Sequence, residues 1–324
     1  MKIKKEYIIL VIIIIALSLY LILRNPNRTN YELPKIPDVS GKSISKIEIA
    51  RTNSTIILNK TDDKWYISPE GYLADTTKVK NMLETIENLN LTALVSESKN
   101  FERYDLNNKK KISIKAWLDD TLIREFEVGK TATSYRHTFI KIAGDDRVYH
   151  ARDNFRGKFD KTVDDLRDKS VLSFEQIEIQ EIRITKGGES MVLSRKQVPV
   201  EISADQKSDA QSSSPPKEET VWNSADGKEI DSSITRRIIA ALSNLQCEKY
   251  IGDRKKSDFL DPIYTLELKG VKEYTLSIFT QNEKDDQNYP GISSENDYPF
   301  LLSKHRVEKI IKPIDEILKT DIVK

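Results

Sequence analysis

Cysteine is almost absent from this chain. Cys247 stands alone, which excludes an intrachain disulfide and any cysteine-built metal cluster. Its helix-end position, aligned with Leu91 in the repeat described below, reads as a small buried apolar residue. Histidine is scarce too: His137, His150 and His305 show neither His-x-x-x-His nor His-Glu-x-x-His spacing, so a zinc site has no recognisable frame. Nor does one sign of charge dominate. Lys and Arg number 52 against 51 Asp and Glu, a formal net charge of +1. That removes the field with which a basic protein gathers nucleic acid or an anionic surface. No Gly-x-Ser-x-Gly elbow seats a serine nucleophile. Gly129-Lys130-Thr131 matches only the end of a phosphate-binding loop: Arg124 to Val128 stand where its first glycine belongs, and no helix follows. It reads as a strand exit. No catalytic residue, cofactor-binding residue or metal ligand is therefore assigned, and no cofactor is expected.

What the chain has instead is a repeat. GYLADTTKVKNMLETIENLNLTALV, from Gly71, lies without a gap over GKEIDSSITRRIIAALSNLQCEKYI, from Gly227. Gly71 falls on Gly227, Asp75 on Asp231, Asn88 on Asn244 and Leu89 on Leu245. Each Asp precedes an apolar stripe at helical spacing: Val79, Met82, Leu83 and Ile86 in one copy, Ile238, Ile239 and Leu242 in the other. The pattern predicts an N-capped amphipathic helix lying on a sheet. A tryptophan precedes each copy, so Trp65, Asp75, Trp222 and Asp231 mark the repeat.

Around that repeat, the chain divides as 1–25 (cytoplasmic tip and membrane anchor), 26–42 (tether), 43–174 (first unit) and 175–324 (second unit). Ile8 to Leu23 is uncharged and almost wholly aliphatic, and Lys2, Lys4 and Lys5 precede it. That predicts a transmembrane helix with a cytoplasmic N-terminus and an exported remainder. No small-x-small site supports cleavage as a signal peptide, and no lipobox cysteine is present. Alternating segments predict a three-stranded meander over 44–67, strands over 112–116, 122–128, 138–142 and 147–149, and a helix from about Asp153 to Leu166. The second unit repeats the order, with strands over 182–184, 191–193, 263–268, 274–278 and 298–302. A final helix runs from about Lys304 to Leu318, with Pro313 inside it. A stretch at about 197–219, rich in Ser, Pro, Lys, Glu and Asp, reads as a disordered insertion. Thr280 to Asp297 reads as a polar loop. The predicted fold class is α+β: two tandem copies of an antiparallel meander-plus-helix unit behind an N-terminal transmembrane helix.

Few residues suggest recognition. His137 and His150 approach one another if their strands pair. Tyr135, Arg136 and His137, with the Tyr-rich loop around Tyr289, form a possible recognition surface for glycan or protein. The acidic pairs Asp119-Asp120, Asp145-Asp146 and Asp285-Asp286 fall in predicted turns, where Asp is favoured by local hydrogen bonds.

ISKIEIARTNSTIILNKTDDKWYISPEGYLADTTKVKNMLETIENL, LVSESKNFERYDL, FEVGKTATSYRHTFIKIAGDDRVYHA and DDLRDKSVLSF together resemble the domain-of-unknown-function 4340 family. Trp65, Gly71, Asp75, Tyr104, Leu106, Gly129, Val148, Tyr149, Leu166 and Arg167 carry the resemblance. It implies a membrane-anchored extracytoplasmic protein, encoded beside ABC-type export and gliding-motility auxiliary components, and supplies no catalytic residues. The expectation is a non-enzymatic, single-pass inner-membrane protein with a protein partner in a transporter or envelope complex, serving as a binding or scaffold module. The alternatives are an extracytoplasmic hydrolase of envelope glycan, using carboxylates or His137 and His150, and a stand-alone ligand-binding protein.

Overall fold

The computed structural model describes residues 5–23, 31–39, 44–199, 218–281 and 287–322. The chain forms two compact units, Met1–Val163 and Asp164–Lys324.

In unit 1, β1 (Lys46–Arg51), β2 (Ser54–Thr61), β3 (Lys64–Ser68) and β4 (Tyr72–Leu73) lead into α2 (Thr76–Glu87). Then come β5 (Leu91–Ser96), β6 (Ile112–Leu118), β7 (Thr121–Thr131), β8 (His137–Ile142) and β9 (Val148–Arg152). They make one nine-stranded antiparallel sheet in the order β4-β3-β2-β1-β6-β7-β8-β9-β5. Alternation in the sequence becomes alternation in burial: Ile47 and Ile49 face inward on β1, Ile112, Ile114 and Ala116 on β6. Helix α2 begins where Asp75 accepts the backbone N–H of Lys78 at 3.1 Å, and it buries Val79, Met82 and Ile86.

Unit 2 repeats this path. After β10 (Ser170–Ser173), β11 (Glu181–Lys186), β12 (Glu189–Pro199), β13 (Glu218–Ser224) and β14 (Glu229–Ile230) lead into α5 (Ser232–Leu242). Asp231 caps α5 by accepting the N–H of Ser233 at 2.7 Å. The rest is β15 (Asn244–Gln246), β16 (Lys249–Tyr250), β17 (Tyr264–Lys269), β18 (Glu273–Ile278), β19 (Asn288–Ser293), β20 (Phe300–Ser303) and α6 (Lys304–Ile322). The second nine-stranded sheet runs β14-β13-β12-β11-β17-β18-β19-β20-β16, strand for strand the order of the first. Gly71 and Gly227 hold the same turn in both units at positive φ, 73° and 86°.

The structure corrects four expectations. Residues 8–23 lie in a helix, α1 (Lys5–Leu23), whose described side chains are exposed. Yet among the described residues no helix is long and apolar enough to cross a membrane. The transmembrane helix is therefore withdrawn from the fold class. With it go the membrane as a partner, the single-pass inner-membrane location with a cytoplasmic N-terminus, and the anchored scaffold accessory to a transporter or envelope complex.

The helix expected over 153–166 is two single turns, α3 (Arg156–Phe159) and α4 (Val163–Leu166). Arg51 stops α3 by donating to the carbonyls of Phe159 and Lys161 at 2.8 and 2.7 Å. The supposed loop at 280–297 contains β19, which pairs on both sides. Finally, strands β12 and β13 extend to Pro199 and from Glu218, into the expected insertion; its remainder, 200–217, lies outside the described residues.

Candidate functional site

Tyr135 sits at φ 57° in the connection between β7 and β8 and is 77% exposed. Beside it His137 begins β8, and the antiparallel pairing of β8 with β9 sets Phe139 opposite His150. The two histidines thus meet through that strand pairing: their rings stack at 5.2 Å and 23°. His150 continues the row onto Phe139 at 4.7 Å, and Phe139 onto Tyr104 at 5.0 Å. Burial, and then the neighbouring His137, hold the His150 imidazole below its ordinary pKa. Stacked faces do not aim two lone pairs at one ion. Among the described residues no group of three or more His, Cys, Asp or Glu is placed to hold a metal. Tyr289 belongs to β19 of unit 2 and packs, half-buried, against that unit's core.

Asp119 and the pair Asp145-Asp146 are engaged in local structure. Asp119 is left-handed at φ 51°, as a turn residue is. Asp145 accepts from Arg147 Nε and Nη2 at 3.0 and 2.8 Å and from the Tyr149 hydroxyl at 2.7 Å. Hydrogen bonds from Arg147 and Tyr149 hold its carboxyl well below the usual range, against the opposing effect of burial. Such a carboxylate is a poor general acid at neutral pH. Asp285 and Asp286 lie outside the described residues. Gly129 is on β7, where a Cβ would run into the Tyr104 carbonyl oxygen; close packing, not phosphate, accounts for it. Burial pushes the Cys247 thiol up to about 11, which leaves it inert as a nucleophile.

A further concavity was not visible to motif reading. In unit 2, α6 packs on α5, and the groove between them encloses about 870 Å³. Ala240, Ala241, Leu245 and Pro313 supply apolar surface, and Arg237, Arg306, Lys309 and Lys312 supply cations. Three of these cations have carboxylate partners: Arg237 with Glu316 at 2.6 Å, Arg306 with Glu248 at 3.3 Å and Lys312 with Glu308 at 2.7 Å. Hydrogen bonds from Arg237 and Lys312 hold Glu316 and Glu308 below the ordinary carboxylate range, so both stay charged. Lys309 has no ion pair among the described residues.

Unit 1 has a crevice at the same place in the repeat, lined by Glu84, Thr85, Asn88 and Leu89 of the α2 end and by Lys158 of α3. It encloses only about 220 Å³. There Lys158 crosses to Thr85 Oγ1 at 2.9 Å. The aligned repeat places Glu84 on Ala240 and Thr85 on Ala241. That loss of side-chain bulk was the available signal for an open groove.

A family model described as "Domain of unknown function (DUF4340)" matches residues 65–262. No curated protein and no solved structure matches the chain.

Proposed function

The chain belongs to the DUF4340 family, and because that description names no activity we propose from its own geometry that it is a stand-alone, non-catalytic ligand-binding protein. The binding is placed within unit 2, in the groove between α5 and α6. The observation that carries this reading is the pairing of a sizeable hollow with apolar walls and an unneutralised cation. Small-molecule sites are commonly about 300–1,000 Å³, mostly apolar, with a few placed polar groups. The groove's ion-paired carboxylates support binding over acid–base chemistry, since Glu308 and Glu316 are held in the charged form.

The test uses anilinonaphthalenesulfonate, an apolar anionic fluorophore, titrated into the full chain and into Ala241→Trp. Ala241 is half-buried on the groove wall, so an indole there is placed to fill the hollow. Saturable binding in the wild type, weakened at least ten-fold in Ala241→Trp, is expected. The paired double variant His137→Ala/His150→Ala should bind as the wild type does. Equal binding by the wild type and Ala241→Trp would sink the reading.

A further inference from the structure

We infer that the ligand of the α5–α6 groove is an amphiphilic organic monoanion: an apolar body ending in one carboxylate or like group. This rests on the groove being a ligand site, and it names the chemistry of what enters. The walls set the body. Ala240 and Ala241 keep the α5 side low, Leu245 closes the base at 2% exposure, and Pro313 is buried on the α6 side. A ligand lying there meets hydrocarbon from both sides, with Asn244, Ser303 and His305 also on the lining, and the apolar share of the walls favours an acyl chain or fused ring over a sugar.

The charges set the head. Arg237, Arg306 and Lys312 already carry carboxylates, so their net contribution to an incoming ion is small. Of the lysines and arginines lining the groove, which His305 also lines, Lys309 is the one left exposed and without an ion-pair partner among the described residues. One unneutralised ammonium beside an apolar floor matches one anionic group. A neutral amphiphile would gain nothing from it, and a cationic one would be repelled. Unit 1 shows the contrasting case: Lys158 is spent on Thr85, and the crevice is small.

The experiment is calorimetric titration of the full chain with decanoate, decanol and decyltrimethylammonium, each below its micelle concentration. Wild type, Lys309→Gln and Ala241→Trp are compared. Decanoate should bind about five-fold more tightly than decanol, the upper end for one partly exposed ion pair. Lys309→Gln should erase that preference while leaving decanol unchanged, and Ala241→Trp should abolish both. Octanoate should bind up to about fifteen-fold more weakly than decanoate, the limit for two fully buried methylenes. If decanol equals decanoate, or the ammonium binds best, while Ala241→Trp still blocks binding, the monoanion is overturned and the ligand site stands. If Ala241→Trp leaves every ligand's binding unchanged, the site and the monoanion fall together.

Discussion

Arg51 in unit 1 and Lys186 in unit 2 both end the first strand of their sheet, yet they hold the terminal helix in different ways. Arg51 donates to the backbone carbonyls at the end of the one-turn α3. Lys186 reaches the carboxylate of Asp315, well along the 19-residue α6, where the Tyr264 hydroxyl also donates at 2.7 Å. A second joint differs in the same manner. Ile47, Ala116 and Arg124 lie abreast across β1, β6 and β7, as Ile182, Leu268 and Tyr274 do across β11, β17 and β18. Arg124, only 6% exposed, donates to the carbonyls of Ile86, Glu87 and Pro37. In its place Tyr274 packs on Phe174, rings tilted and 5.0 Å apart, and the Phe174 N–H donates to the Ser243 carbonyl at the end of α5. The carbonyl of Glu87 and that of its counterpart Ser243 are thus met by a guanidinium in one unit and by a backbone N–H in the other. Strand order and burial pattern are common to both units, whereas the joints vary. The groove follows from that variation, since the long α6 and the alanines of α5 open what α3 and Lys158 close.

The comparison breaks most visibly at the markers of the shared part. Trp65→Ala and Trp222→Ala should each destabilise their own unit by about 3–5 kcal/mol, read from urea unfolding. Both rings are buried, at 7% and 4% exposure. A difference between them of more than about 2 kcal/mol would mean the two positions are not equivalent. The variable joints come next. Arg124→Met should cost about 1.5–3 kcal/mol, because it strips charge-assisted bonds from buried carbonyls. Tyr274→Phe keeps the ring and should cost under about 1.5 kcal/mol. Equal losses would argue that the hydroxyl of Tyr274 has a role its contacts do not show.

The smallest effect concerns pH. His150 has Leu301 as its counterpart in the second sheet, each lying on the last long strand. Its folded pKa is lowered from the ordinary 6.5. Between the folded and unfolded values the unfolded chain binds more protons, so stability rises with pH across that window. The contribution is complete above pH 6.5 and is lost as pH falls through the lower, folded value. His137 stacks on it and opposes its protonation, and Arg152 is the other cationic residue on β9. His150→Leu should flatten the dependence of the unfolding midpoint on pH below 6.5. An unchanged slope would remove His150 as the source.

Much of this was legible in the chain. The capped helices stood out because cap and stripe are local, and Asp75 and Asp231 do accept the expected N–H groups. The meeting of His137 and His150 followed from two adjacent strands and the turn between them. Strand β19 escaped because Asn288-Tyr-Pro-Gly-Ile-Ser breaks alternation with Pro290 and Gly291. The structure supplies the reason for Gly291, since a Cβ there would press on the Phe300 ring. Helix α3 was overextended because Phe155, Phe159, Val163 and Leu166 do keep helical spacing. What interrupts it is Arg51, more than a hundred residues away in sequence. The groove was illegible for a similar reason. It is a property of two helices meeting, and neither helix alone carries a motif.

Arg124 also settles how unit 1 would take a mechanical load. Its guanidinium holds Pro37 on one side and the end of α2 on the other, while its own backbone is fixed in β7 between β6 and β8. Val39, two residues further along the chain, is 1% exposed. Tension entering through residues 31–37 therefore does not reach β1 first. It divides at the guanidinium, part running into the end of α2 and part into a strand flanked on both edges. The ladder bonds of β7 with β6 and β8 then share the pull. A single buried side chain makes this end of the unit a clamp.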